Sequence, residues 1–131
     1  MKKKNLHTPV IKQYLDIKAK HLDSFLFFRM GDFYELFFND AVEASQLLGL
    51  TLTKRGKSAG KDVPLAGVPV HSSSNYIKKL LNFGKKVSIC EQVEDSTQSK
   101  DIVKREVIKV LTPGTIIDEE FIDDPKEKYV G

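Results

Sequence analysis

FLFFRMGDFYELFF, running from Phe25 to Phe38, is the stretch on which the fold turns. Gly31-Asp32 stands between two apolar runs. Glycine at the first central position of a two-residue loop takes φ > 0 without steric cost, as a type II′ turn requires, so Phe25–Met30 and Phe33–Phe38 are predicted to pair as antiparallel strands. Strand side chains alternate between faces, which puts Phe33, Glu35 and Phe37 on one side and Tyr34, Leu36 and Phe38 on the other. An ionised carboxylate buried without a partner is very costly, so a Phe-x-Glu at a hairpin tip is expected to be presented to something. An aromatic ring beside a hydrogen-bond acceptor, on a ribbon narrow enough for a groove, suits a stacked base better than a small-molecule cleft.

Upstream of the hairpin, Thr8 is placed to cap a helix with Pro9 at its first position, where a missing N–H does no harm. Val10, Ile11, Tyr14, Leu15 and Ile17 fall near helical spacing, giving an amphipathic helix with one face for the sheet. His21–Ser24 connects it to the hairpin, and residues 1–7 read as a loose basic arm. Downstream, Asn39 or Asp40 is the expected cap of a second helix, with Glu43 completing a capping box from Asp40. Ala41, Ala44, Leu47 and Leu48 give that helix a closely packing face, and Gly49 supplies a left-handed stop.

Farther out, Leu50 and Leu52 alternate with Thr51 and Thr53, the pattern of a half-buried strand. It is expected to end in a flexible basic loop from Lys54 to Lys61. That loop is not a Walker motif, since three residues separate Gly56 from Gly60 and Asp62 follows Lys61. It is either a disordered surface loop or a source of phosphate contacts. Val63–Val70 contains Pro64 and Pro69 and is predicted as an extended edge segment. Ser72-Ser73-Ser74 reads as an N-cap cluster for a helix carrying Tyr76, Ile77, Leu80 and Leu81 and stopping at Gly84. His71 beside that helix start is a phosphate contact or a capping or packing histidine. Val87–Val93 and Val103–Thr112 are predicted strands around a polar stretch, Glu94–Lys100, and Thr112–Thr115 is a turn. The order of elements predicts one α+β domain over residues 8–116, a mixed sheet with flanking helices, followed by an acidic linker over 117–131 toward a following domain.

A chain of 131 residues is long enough for one domain with a modest core, and 40% hydrophobic with 30% charged residues is ordinary for a globular domain. The formal net charge of +3 is unevenly spread. Residues 118–131 hold six carboxylates against Lys126 and Lys128, which leaves 19 basic and 12 acidic residues, a net +7, on residues 1–117. A basic body with an acidic tail invites a polyanionic partner. The single cysteine, Cys90, has strand-like apolar neighbours and reads as a buried structural thiol, in keeping with a reducing cytoplasm. The start lacks the apolar core of a signal peptide, and no run approaches membrane-spanning length.

Arg29-Met30-Gly31-Asp32-Phe33-Tyr34-Glu35-Leu36-Phe37 resembles the mismatch-reading motif of the MutS family of DNA mismatch-repair proteins. The resemblance continues through Thr8-Pro9, Leu52-Thr53-Lys54-Arg55-Gly56, Ala66-Gly67-Val68-Pro69-Val70-His71, Ile89-Cys90-Glu91-Gln92-Val93 and Thr112-Pro113-Gly114-Thr115, six blocks in family order. It implies an amino-terminal mismatch-recognition domain, domain I, of a protein several times longer. It also implies that Phe33 wedges into duplex DNA at a mismatch or small loop and that Glu35 hydrogen-bonds a base. Met30 belongs to the same motif. Arg55, with Lys54 and Lys61 beside it, falls in a basic block suited to phosphates, and the position of His71 carries a backbone-contacting basic side chain in some family members. No catalysis and no cofactor are expected of these residues. ATP, Mg and homodimer contacts are implied for domains outside them, MutL as a repair partner, and the nucleoid of the cytoplasm as the location.

Two other readings use the same residues. Arg29–Phe37 has a passing likeness to the RNP1 motif of RRM single-stranded RNA binders, but Asp32 and Glu35 replace small or apolar residues and Met30 interrupts the basic-Gly pair. Asp32, Glu35 and Asp40 could be offered as the metal ligands of a nuclease. Turn chemistry accounts for Asp32 and a helix cap for Asp40 without any metal.

Overall fold

The computed structural model describes residues 8–58, 61–93 and 102–115, with 55–58 and 115 as backbone only. At its centre strands β1 (Ser24–Met30) and β2 (Phe33–Phe37) pair antiparallel with Met30 opposite Phe33, so that Gly31-Asp32 is the two-residue loop. Gly31 has φ 67°, and among the described residues Phe38 alone of the non-glycines has positive φ, so Asp32 keeps the negative φ that a type II′ loop demands. The hairpin sits inside a six-stranded sheet of order β3-β4-β2-β1-β5-β6, completed by β3 (Thr53–Ser58), β4 (Lys61–Pro69), β5 (Lys86–Gln92) and β6 (Arg105–Leu111). β1 and β5 run parallel and every other pair antiparallel, so the sheet is mixed, as expected.

Helices flank the sheet on both faces. Helix α1 (Pro9–Lys18) begins as predicted, with Pro9 at its first position and Thr8 Oγ1 accepting from the Ile11 N–H at 3.3 Å. It packs Ile11 and Tyr14 on Leu26, Phe28, Phe37, Val63 and Cys90. Helices α2 (Phe38–Leu48) and α3 (Ser73–Asn82) cover the opposite face, over Phe25, Phe27, Tyr34, Leu36, Ala66, Val68 and Ile89. β1 is thus buried on both sides, which is why its sequence is a continuous apolar run without alternation. Cys90 is buried, and burial pushes its thiol pKa up to about 12. No helix among the described residues is long and apolar enough to cross a membrane.

Four expectations are corrected. The strand predicted at Leu50–Thr53 starts only at Thr53 and continues to Ser58 through what reads as a basic loop, and Leu52 is 45% exposed. β4 is an interior strand paired to β2 and β3, not an edge segment. Its prolines are tolerated by position: Pro64 lies just beyond the last β2 partner, opposite Lys54 where the β3 register becomes irregular, and Pro69 is the last residue. The cap at Asn39 or Asp40 does not form; α2 starts at Phe38, itself at φ 56°, and the capping position is Phe37. Asp40 instead takes a 3.0 Å ion pair from Lys18 and the Leu26 N–H at 3.0 Å, and Glu43 pairs with Lys85 at 3.3 Å. Finally, Ser72 stands at the capping position of α3 without a side-chain cap, because the Ser72 and Ser73 hydroxyls donate back to the Pro69 and Val70 carbonyls. Gly49, at φ 74°, ends α2 as predicted. The basic arm, Glu94–Lys100 and the acidic segment 117–131 lie outside the described residues.

Candidate nucleic-acid interface

Phe37, Glu35 and Phe33 lie on one face of β2, and along those few residues the face changes from core to surface. Phe37 is fully buried under α1, Glu35 is half-buried and Phe33 is 42% exposed. The cause is the length of α1, which reaches Phe28 and Phe37 but leaves the hairpin end of the same face uncovered. Phe33 is flanked there by Met30 of β1 and Pro69 of β4, its cross-strand partners. Glu35 faces Gly67 of β4, and a Cβ on that glycine would stand 2.8 Å from Oε1. The missing side chain is the seat of the carboxylate.

An open recess of about 460 Å³ adjoins Phe33, lined by Arg29, Asp32, Pro69, Val70 and His71. On the opposite face, Arg29 Nη1 pairs with Glu91 Oε1 at 2.7 Å, and the Tyr34 hydroxyl donates to Glu91 Oε2. Burial first, and then the bond to Glu91, holds the Tyr34 phenol well above its usual pKa. Arg105 Nε donates to the Arg29 carbonyl at 2.7 Å while its guanidinium lies 4.8 Å from the centre of the Phe28 ring. Burial lowers the Arg105 pKa from its ordinary value.

The structure therefore brings Met30, Phe33, Glu35 and His71 to one end of the sheet. Lys61 is not with them. It opens β4, eight residues from Pro69, which at ~3.3 Å per strand residue is roughly 26 Å from the hairpin tip. Lys54 is exposed and pairs with Asp62 at 3.2 Å. Arg55 is in β3 with its side chain outside the described residues. Asp32, Glu35 and Asp40 do not form a cluster: Asp32 is in the loop, and Asp40 lies under α1 with Lys18, Tyr14 and the Leu26 N–H. Among the described residues no three His, Cys, Asp or Glu side chains are grouped to hold a metal ion. The sheet also has six strands where an RRM has four.

Three residues at this end escaped the reading of the sequence. Gly67 carried a usable signal, since a glycine inside a strand marks a close approach. Glu91 and Gln92 stand in one of the family blocks, but no local pattern shows their roles, because their contacts join positions about sixty residues apart.

A family model described as MutS domain I matches residues 8–120. The DNA mismatch repair protein MutS of Bartonella quintana (strain Toulouse) is 52% identical over 128 residues, covering 94% of this chain and 14% of that protein. Its counterparts in Bartonella tribocorum and Bartonella henselae are 52% and 51% identical over the same shares. The chain thus spans about 14% of the length of the curated relatives it matches. With the hairpin, its exposed Phe33 and the match from residue 8 to residue 120, this chain belongs to the MutS family, as its domain I.

Proposed function

We propose that this chain reads mismatched or looped-out base pairs in duplex DNA for a longer mismatch-repair protein. The observation that carries the reading is the half-exposed Phe33 on a short, firmly bonded hairpin, at an end of its sheet face that α1 leaves bare. An apolar wedge must unstack a base step and kink the duplex, and a mispaired step is cheaper to open than a paired one. Discrimination then comes from deformability, and no base code is needed. Glu35, on the same face, accepts a hydrogen bond from an exposed base edge or, protonated, donates one. Met30 packs beside the wedge, and His71 and Arg55 meet the phosphate backbone, with Lys54 and Lys61 as weaker contributors. The domain binds without catalysis. ATP with Mg, the homodimer contacts and the repair partner MutL belong to the rest of the longer protein.

The test is competition binding of a duplex with one mismatch against its fully paired counterpart, with this chain and with the full-length gene product. A preference for the mismatched duplex is expected of the full-length protein. Equal affinity for both duplexes overturns the reading, and ATP turnover by this chain overturns the assignment of a purely binding role.

A further inference from the structure

The loop that carries the wedge is bonded from three directions. The Gly31 N–H donates to Gln92 Oε1 at 2.9 Å, from β5. The Gly31 carbonyl accepts from Arg29 Nε at 2.5 Å, and the same guanidinium is held by Glu91. On the other side the Asp32 carbonyl accepts from the Val70 N–H at 2.9 Å, from the turn after β4. A two-residue hairpin loop at a protein surface ordinarily gives such groups to water. Here they are tied to β5, to β1 of the hairpin itself and to the turn that follows β4.

We infer that Gln92 and Glu91 are positioning residues for the wedge: they lock the Gly31-Asp32 loop so that Phe33 is presented in one fixed orientation. The inference rests on the proposed wedge and deepens it. A rigid wedge forces a choice on the DNA, since docking requires that the step open. A compliant loop folds aside on a paired duplex and lets the backbone contacts form anyway. Locking therefore acts on the ratio of affinities, and pre-organisation is the means. Glu91 works at one remove, by fixing Arg29 and Tyr34 on the two strands next to the loop. Gln92 acts on the loop itself and is the sharper probe.

In the full-length gene product, Gln92→Met keeps the volume of the side chain and removes the acceptor, and Gln92→Glu restores an acceptor oxygen. Four quantities are to be measured: the mismatch-to-paired affinity ratio, the salt dependence of paired-duplex binding, the thermal midpoint, and deuterium exchange of the peptide spanning the loop. Gln92→Met is expected to lower the ratio by roughly three- to tenfold, the scale of one lost hydrogen bond, and to speed exchange at the loop. The salt slope and thermal midpoint should stay near wild type, and Gln92→Glu should recover most of the ratio. An unchanged ratio, a salt slope that falls with it, or a lost fold each overturns the positioning role. Phe33→Ala measured alongside separates the two readings. If it abolishes the ratio while Gln92→Met leaves it intact, the lock alone is wrong; if both variants keep the ratio, the wedge is wrong and the lock with it.

Discussion

The Glu35 carboxylate lies directly over Gly67 on the neighbouring strand, so close that a Cβ there would meet Oε1 at 2.8 Å and Oε2 at 3.3 Å. Gly67→Ala should therefore displace the carboxylate. The displaced group is the end of a flexible side chain, and the backbone of Gly67 needs no positive φ, so the fold should lose no more than about 1 kcal/mol. The expected outcome is a thermal midpoint close to wild type with a reduced mismatch preference, checked by pairing a melting curve with competition binding. A large loss of stability with an intact ratio would contradict the seat assigned to Glu35.

Glu35→Gln and Glu35→Ala test what the charge does once seated. On the proposed reading, the carboxylate approaches two phosphate backbones and is repelled by both, and at a kinked mismatch a base edge within its reach offsets the repulsion. Both substitutions should raise affinity for fully paired DNA and compress the mismatch-to-paired ratio, more strongly at low salt where screening is weakest. Titration of both duplexes at two salt concentrations decides it. Equal weakening of both duplexes would make the carboxylate a structural group.

Phe33 and Leu36 lie three residues apart on opposite faces of β2 and should fail in opposite ways. Phe33→Ala removes an exposed ring and should cost little stability while abolishing the mismatch preference, with much of the backbone binding retained. Leu36 is fully buried between β2 and the α2–α3 layer, so Leu36→Ala should cost about 2–5 kcal/mol. Chemical denaturation beside binding measurements separates the two. A destabilised Phe33→Ala would mark that ring as core.

Arg55 carries the phosphate prediction. Its replacement by alanine should weaken binding to paired and mispaired duplexes alike and reduce the salt dependence of binding by roughly one counterion's worth. The readout is the slope of log affinity against log salt. An altered ratio at constant slope would assign Arg55 to recognition of the lesion.

Stability should fall on the alkaline side. Tyr14, Tyr34 and Cys90 all have folded pKa values raised above their ordinary values of 10.0, 10.0 and 9.0, chiefly by burial. Folding favours the protonated forms, so this contribution is complete below those ordinary values. Above pH 9 the unfolded thiol, and above pH 10 the unfolded phenols, release protons that the folded chain retains, at about 1.4 kcal/mol per pH unit for each group. Urea midpoints measured from pH 8 to pH 11 should decline progressively. A Tyr34→Phe variant should flatten part of that decline, and an unchanged slope would place the Tyr34 hydroxyl in water.

What the sequence determined by itself is local. Gly31-Asp32 defines the loop, the alternation along β2 assigns Phe33 and Glu35 to one face, Thr8-Pro9 starts α1, and Gly49 ends α2; each follows from dihedral preference or strand periodicity within a few residues. The order of these elements gave the fold class, and six family blocks added the family and the roles expected of the hairpin residues. Everything that depends on contacts between distant segments was decided only by the tertiary structure. Pro64 and Pro69 argued for an edge, yet β4 is interior because both prolines fall where a ladder bond is not required. Asp40 had the local form of a cap, but half-buried Lys18 and the Leu26 N–H, from α1 and β1, take its oxygens in place of the helix end. Whether the Phe33 end of the face was core or surface hung on how far α1 reaches across the sheet, and the bonds from Gln92 to Gly31 and from Glu91 to Arg29 exist because β5 inserts parallel beside β1. Periodicity assigns a residue to a face, but only the packing of elements remote in sequence determines what covers that face and what holds it still.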